Sequence, residues 1–351
     1  HQTKTTKTHQ EISCVMEQMS EDQDHRYPRS FELYNGTSIP SVGLGTWQMT
    51  AENDVRNSVR ACLLQFGYRH IDTASIYRNE HFIGSELKEI SKQVAPLAPN
   101  SIFLTSKVPP TCTKSYDSVM ECFERSCRDL GTDCIDLYLI HWPGTSKIDV
   151  KSPQNAQLRL QTWYALERLY RDKRVKAIGV SNFMPHHLIG GCGGVGGSSG
   201  DDDNAQEQQQ NKTSSFLDQV SIVPMLNSIE YHPLIGLCDS YRQLEQICRE
   251  HRIVMQSYTS MAQGHLLDEQ MEHFSKLSHG LRTSDKTLLS QKILQWSLHH
   301  DKCVIPKSTN MKHLKSNIDI LGMSKLSAEE VTVMDELYCN KRICWDPTQI
   351  A

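Results

Sequence analysis

No run of about 18 consecutive apolar residues occurs in the chain, so no membrane-spanning helix is expected. No C-x-x-C pair occurs among its 12 cysteines. Scattered through 351 residues, they read as reduced cytosolic thiols rather than as a disulfide framework. Histidines pair as neighbours at His186-His187 and His299-His300, not at i,i+4 on one helix face, so no metal site is indicated. Neither a P-loop nor a G-x-S-x-G elbow is present. Charge is nearly balanced, with 37 Lys and Arg against 41 Asp and Glu, which gives no reason to expect nucleic acid or an anionic membrane as partner. A secretory apolar core and an Arg-rich transit pattern are both missing from the polar first residues. Residues 1–30 therefore read as a disordered tail, and a start at His1 rather than Met points to a segment upstream.

What is present is a series of short apolar runs that turn polar only at their carboxyl ends. Tyr68-Arg69-His70-Ile71-Asp72 ends in an acid and leads to Tyr77 five residues later. Ile102 to Lys107 ends in a lysine, and Ile135 to His141 ends in a histidine. Buried parallel strands have this pattern. In a (β/α)8 barrel all strand ends converge on one face, where active sites lie. Asp72, Tyr77, Lys107 and His141 are therefore expected to meet, although the chain separates them widely.

The order of the remaining elements supports a single barrel spanning residues 31–351. Phe31 to Pro40 reads as a hairpin around Asn35-Gly36. Strands are expected at 42–45, 175–181, 224–230, 253–258 and 303–306 besides the three above, alternating with helices at 80–92, 115–130, 155–171, 238–251 and 284–298. Val55, Val59, Cys62 and Leu63 set one apolar stripe after the first strand. Ser327 to Glu330 has the pattern of a capping box. Residues 189–214 are rich in Gly, Asp, Gln and Ser and read as a flexible insertion. A literal G-x-G-x-x-G at Gly191, Gly193 and Gly196 has neither the strand before it nor the helix after it that dinucleotide binding requires.

The four strand-end residues suit carbonyl reduction. A carbonyl that accepts a hydride needs a proton on its oxygen, and an unperturbed tyrosine is a poor acid at neutral pH. A nearby cation favours the phenolate by roughly one to three pKa units. Lys107 is the candidate cation, Asp72 the group that holds it charged, and His141 the donor that orients the carbonyl, either as the neutral ring or as a proton relay. Taken singly, each has a plainer reading: a helix cap, a rim aromatic, a solvated lysine and a strand-end histidine.

Together, in the contexts T-S-K and L-I-H-W-P, these residues resemble the tetrad of the aldo-keto reductases. The resemblance runs from Phe31 to Trp345 and includes Gly43 to Trp47, Ile178 to Phe183, Glu230 to Pro233 and Ile305 to Ser308. It implies a (β/α)8 TIM barrel whose bottom is plugged by the N-terminal β-hairpin and whose mouth is covered by a C-terminal loop. It also implies an NADPH-dependent reductase of aldehydes or ketones, of the alcohol dehydrogenase (NADP+) type, with Tyr77 as proton donor. For NADPH it implies Gly45 and Thr46 at the first strand end, Ser181 and Asn182 on the carboxamide and Tyr258 on the nicotinamide ring. Ser228 lies beside them, Lys307 and Ser308 meet the 2′-phosphate, and His313 and Asn317 flank the adenine. Trp47, Trp142 and Trp345 would wall an apolar substrate pocket. Two positions depart from the family pattern. Ser228 stands where Gln is usual, and His313 where Arg is usual; His is less surely charged, so NADPH preference is expected to be weakened. The expected molecule is a cytoplasmic monomer acting on a small carbonyl. The competing expectation is a cofactor-sensing subunit with little turnover, since fold does not fix function.

Overall fold

A computed structural model describes residues 25–93, 101–190 and 215–351. Most of the expected tail and of the Gly-rich insertion lies outside the described residues. His25 to Ser30, assigned above to the tail, is instead packed. Tyr27 is buried, the Leu326 amide donates to its hydroxyl at 3.3 Å, and the Ser41 hydroxyl donates to the Pro28 carbonyl at 2.6 Å. One large aromatic side chain is seated in the core, while its neighbours in the segment stay exposed.

The hairpin follows. Strands β1 (Ser30–Glu32) and β2 (Ser38–Pro40) are antiparallel, with Phe31 opposite Ile39. Gly36 takes a φ of +83° in the turn, which a side chain would resist, and Asn35 Oδ1 accepts from the Thr37 amide at 3.0 Å. The Tyr34 hydroxyl donates to the Val223 carbonyl at 2.6 Å, and Asn35 Nδ2 to the Lys176 carbonyl at 2.9 Å. Both carbonyls lie at amino ends of barrel strands, so the hairpin closes the bottom.

Eight parallel strands form the barrel: β3 (Leu44–Gly45), β4 (His70–Asp72), β5 (Phe103–Val108), β6 (Ile135–Ile140), β7 (Val175–Ser181), β8 (Leu226–Glu230), β9 (Val254–Tyr258) and β10 (Lys302–Val304). Each pairs with its neighbours in sequence order. A parallel bridge between Val42 and Val304 joins the first strand to the last, extended by Gly43 N to Val304 O at 2.8 Å and Gly45 N to Pro306 O at 3.2 Å. A Cβ on Gly45 would meet the Ile305 carbonyl oxygen at 2.4 Å, so the seam needs glycine there.

Helices cover the outside. They span Glu52–Leu64, Glu80–Gln93, Tyr116–Leu130, Gln154–Arg171, Asp239–Glu250, Lys286–His299 and Met311–Asp319, and Ala328–Asp335 lies near the C-terminus. The 52–64 helix buries Val55, Val59, Cys62 and Leu63, the stripe expected from spacing. Ser115 and Ser327 are N-caps, and the Ser327–Glu330 capping box is formed in both directions. Most boundaries fall within two residues of the sequence expectation, and the shortest strands are β3 and β10 with β4. At β3 and β10 the chain leaves regular pairing at the barrel seam.

Candidate active site

Asp72 ends β4, Lys107 lies one residue inside the end of β5, and His141 follows β6, so three successive strands deliver three of the four side chains to one face. Tyr77 arrives on a single 3-10 turn, Ser75–Tyr77, which brings it back over the barrel mouth. Lys107 Nζ donates to Asp72 Oδ1 at 2.5 Å and to the Thr73 carbonyl at 2.8 Å, with Lys107 and Asp72 both buried. It lies 5.2 Å from the Tyr77 ring centroid. The Tyr77 hydroxyl is 3.4 Å from His141 Nε2, and the two rings meet edge to face. The four residues expected to converge do converge.

Their electrostatics refine the sequence picture. Burial raises the Tyr77 phenol above its ordinary pKa, and Lys107 pulls it back only in part. The cation acts in the expected direction but does not outweigh burial. Burial pulls Lys107 down, yet Asp72 and Tyr77 together lift it above the usual range, so it stays charged. Burial pushes the Asp72 carboxyl up against the pull of Lys107 and of Gln256. His141 is held well below 6.5 by burial and by the Lys107 charge. Of the two forms left open by the sequence, the neutral ring is therefore the one present, and Nε2 can donate a hydrogen bond toward an oxygen placed beside Tyr77.

The expected cofactor residues line the same face. Asn182 takes a φ of +65° at the end of β7, a left-handed conformation that Asn tolerates. The turn aims its amide back across the mouth. Nδ2 donates to the His141 carbonyl at 2.9 Å and to Ser181 Oγ at 3.1 Å, while Oδ1 accepts from the Tyr258 hydroxyl at 2.5 Å. Ser181 Oγ donates to the Ser228 carbonyl at 2.9 Å. Ser181, Asn182, Ser228 and Tyr258 thus form one connected cluster across three strands. Thr46 Oγ1 is engaged by the Asp72 carbonyl at 3.0 Å, and Gly45 serves the barrel seam. Lys307 and His313 are exposed, Ser308 is half-buried and Asn317 is buried, at the end of β10 and along the helix after it. Among the aromatics, Trp142 and Trp345 touch with ring centroids 4.9 Å apart, and both Trp345, at 51%, and Trp47, at 42%, are exposed.

Orphaned buried atoms mark where a polar ligand fits. Ser228 Oγ, Asn227 Oδ1 and Gln256 Oε1 are buried without a hydrogen-bond partner on the cluster's strands. Such groups are costly unless a partner arrives, and an amide-bearing ring would supply one. The residues present fit a nicotinamide cofactor.

Two residues have roles that went unnoticed in the sequence. Gln256 Nε2 donates to Asp72 Oδ2 at 3.2 Å and so fixes the carboxylate that holds Lys107. Its position two residues before Tyr258 on β9 puts it on the same face, a signal that strand periodicity contains. Glu230, at the end of β8, accepts from the Ile343 amide at 2.6 Å and the Cys344 amide at 3.2 Å, with His232 Nε2 at 3.0 Å and Arg342 Nη1 at 3.5 Å. It anchors the C-terminal loop that brings Trp345 onto Trp142. Nothing local in the sequence links positions 230 and 343.

The model of the Aldo/keto reductase family matches residues 41–339. The chain is 33% identical over 315 residues to the 9,11-endoperoxide prostaglandin H2 reductase of Trypanosoma cruzi, covering 90% of this chain and 93% of that one. It is 32% identical over 319 residues to the glyoxal reductase of Bacillus subtilis, covering 91% and 96%. Among solved structures, a mutant of Gox0644 in complex with NADPH superposes with a TM-score of 0.69 at 28% identity, covering 91% of this chain and 97% of that one. An aldo/keto reductase from Brucella melitensis superposes with a TM-score of 0.67 at 30% identity, covering 89% and 99%.

Proposed function

Because the chain belongs to the aldo/keto reductase family, and is on that footing an NADPH-dependent oxidoreductase reducing an aldehyde or ketone to an alcohol, we propose that Tyr77 is its proton donor. Support comes from one observation: the Tyr77 hydroxyl lies 3.4 Å from a neutral His141 Nε2, with the Lys107–Asp72 pair behind its ring. NADPH supplies the hydride, because no protein side chain does. Ser181, Asn182, Ser228 and Tyr258 would hold its nicotinamide end, with Gly45 and Thr46 beside them. Lys307, Ser308, His313 and Asn317 would hold its adenosine end.

The chain's own residues handle the oxygen. His141 Nε2 and the Tyr77 hydroxyl are the two donors a carbonyl oxygen would meet at the mouth, which orients it and stabilises charge as it develops. Tyr77 then gives up its proton to that oxygen, and Lys107 stabilises the phenolate that remains. Asp72, steadied by Gln256, keeps Lys107 charged and in place. Trp47, Trp142 and Trp345 would offer apolar surface for the substrate.

Relatives named glyoxal reductase and methylglyoxal reductase make small dicarbonyls the first substrates to try. We class it, as part of this proposal, as an alcohol dehydrogenase (NADP+)-type enzyme. We propose a monomer in the cytoplasm; the ten cysteines among the described residues are free thiols, which fits a reducing compartment. The test is loss of NADPH absorbance with glyoxal and methylglyoxal, comparing wild type with Tyr77→Phe. General acid catalysis contributes about 10²–10⁴-fold, so turnover should fall by that factor with cofactor binding kept. Unchanged turnover in Tyr77→Phe would remove it from the proton-donor role.

A further inference from the structure

Asn79 lies two residues after Tyr77 and directly before the helix Glu80–Gln93, and it is fully buried. Asparagine is favoured at a helix start because its side-chain oxygen can serve the helix's first free amides. Here the side chain turns into the protein instead. Asn79 Oδ1 accepts from the Thr73 hydroxyl at 2.9 Å, and Nδ2 donates to the Thr46 carbonyl at 2.9 Å and to the Met49 carbonyl at 3.1 Å. The Phe82 and Ile83 amides are met by the Asn79 backbone carbonyl, each at 3.1 Å. Two carbonyls need a donor and the hydroxyl needs an acceptor, so a primary amide of this length meets all three. Asp or Leu, of similar shape, would leave both carbonyls without that donor.

Each partner leads to the site. The Thr73 carbonyl is the one that accepts from Lys107 Nζ at 2.8 Å. Thr46 donates to the Asp72 carbonyl through its amide at 3.1 Å and its hydroxyl at 3.0 Å. Thr46 and Met49 are the two ends of a turn that carries Trp47, closed by the Met49 amide on the Thr46 carbonyl at 3.1 Å. Tyr77 therefore rides on a span between two fixed points, Asp72 at the end of β4 and the side chain of Asn79. Within that span the Tyr77 amide donates to the Ala74 carbonyl at 2.9 Å and the Arg78 amide to the Ser75 carbonyl at 3.2 Å. Arg78, which joins the turn to Asn79, takes a left-handed φ of +58°.

We propose that Asn79 is a positioning residue for proton transfer, its buried amide fixing the Tyr77 hydroxyl beside His141 and its ring against the Lys107–Asp72 pair. The inference rests on the reading of Tyr77 as proton donor. The Tyr77 hydroxyl lies 3.4 Å from His141 Nε2, already a long hydrogen-bond distance, so a small displacement of the turn parts the two groups that would meet the carbonyl oxygen. A misplacement of about 1 Å, caused by a change away from the chemistry, can cost about 10²-fold in rate. Asn79 touches neither Tyr77 nor His141 in the bonds described above; it acts through the backbone at both ends of the turn and through Thr73.

The test measures kcat for methylglyoxal at saturating NADPH in Asn79→Ala, in Tyr77→Phe and in the double variant, with NADPH dissociation constants from fluorescence titration. Asn79→Ala should lower kcat by about 10²-fold. Its NADPH dissociation constant should stay within about threefold of wild type, because Ser181, Asn182, Ser228 and Tyr258 are tied to one another rather than to Asn79. In the Tyr77→Phe background the same substitution should change kcat by less than about threefold, since the hydroxyl it positions is gone. A residue that merely holds the fold together would lower kcat by the same factor in both backgrounds, and that result would overturn the proposal. Thr73→Val keeps the test open if Asn79→Ala does not fold. It removes one hydroxyl, keeps the carbonyl that Lys107 uses, and should lower kcat by about tenfold with the same dependence on Tyr77. Wild-type turnover in Tyr77→Phe would remove the proton donor itself. A large loss in Tyr77→Phe beside wild-type turnover in Asn79→Ala and Thr73→Val would overturn the positioning role alone.

Discussion

Replacing Lys107 by Met tests the charge arrangement behind Tyr77. The substitution keeps length and apolar volume but removes the ammonium that donates to Asp72 Oδ1 and to the Thr73 carbonyl. Two consequences follow, on different observables. Asp72 is 2% exposed, and Gln256 Nε2 would be the side-chain donor left to it. Removing one partner of a buried ion pair typically costs about 3–5 kcal/mol of stability, because the other charge remains buried. Tyr77, already raised by burial, loses the cation that lowers it. A close charge is worth roughly one to three pKa units, or about 1.4–4 kcal/mol, so kcat should fall by about 10- to 10³-fold. Urea unfolding measures the first effect, and NADPH oxidation at saturating cofactor with glyoxal measures the second. The double variant Asp72→Asn/Lys107→Met separates them. With both charges gone, stability should largely return, while turnover should stay at the low level of the single variant. Turnover of Lys107→Met within about threefold of wild type, or its recovery in the double variant, would refute the role assigned to the charge.

Three further outcomes are expected. Lys307→Ala should raise the NADPH dissociation constant by at least about tenfold, one lost charged contact, and affect NADH much less; equal losses for both in fluorescence titrations would refute phosphate recognition by this exposed lysine. Glu80 is buried between Ser106 and Ser126, and burial pushes its carboxyl up to about 7 from 4.5, against the hydrogen bonds from those two serines. Its protonated form is the one the fold favours, so this stability is full below pH 4.5 and is lost as pH rises through 7. The loss amounts to about 3 kcal/mol. Glu80→Gln should flatten the urea midpoint across that window, and an unchanged slope would refute the assignment. Glu230→Gln should loosen the C-terminal loop, since hydrogen bonds to a charged group are each worth about 1.5–3 kcal/mol. The expected signs are proteolysis near Ile343 and a KM for the carbonyl raised about tenfold with NADPH binding unchanged, and a loop as protected as in wild type would count against the anchor.

The barrel and the tetrad were legible because both are written locally. Each strand is an apolar run, and its last polar residue is fixed at the carboxyl end, so Asp72, Lys107 and His141 announce themselves without knowledge of their neighbours. Tyr77 follows from its five-residue distance to Asp72. The sign and size of electrostatic effects were not legible in the same way. The sequence placed a cation near a phenol, but the balance against burial depends on how much solvent the fold removes from Tyr77. Tyr27 was misjudged for a related reason. A polar segment is counted as a tail by its average, whereas one aromatic ring can seat it if the fold offers a slot beside Leu326. Gln256 was readable by period-two arithmetic from Tyr258, once the face was known to matter.

Glu230 shows where local reading ends and what the fold adds. The tetrad explains how a carbonyl oxygen is met, but nothing in the four residues closes the mouth above it. The Trp142 ring meets Trp345 edge to face, and Trp345 is on the loop whose backbone Glu230 holds. The carboxylate is satisfied by two amides, a histidine and an arginine, three of which come from positions more than a hundred residues away. A buried acid with that many donors is held in one place, and so is the loop that supplies them. The reaction chemistry thus resides in strand ends that any barrel of this kind presents on one face. We predict that the loop held by Glu230 bears on which carbonyl is taken, so changes around Glu230 should alter KM and leave the proton transfer at Tyr77 untouched.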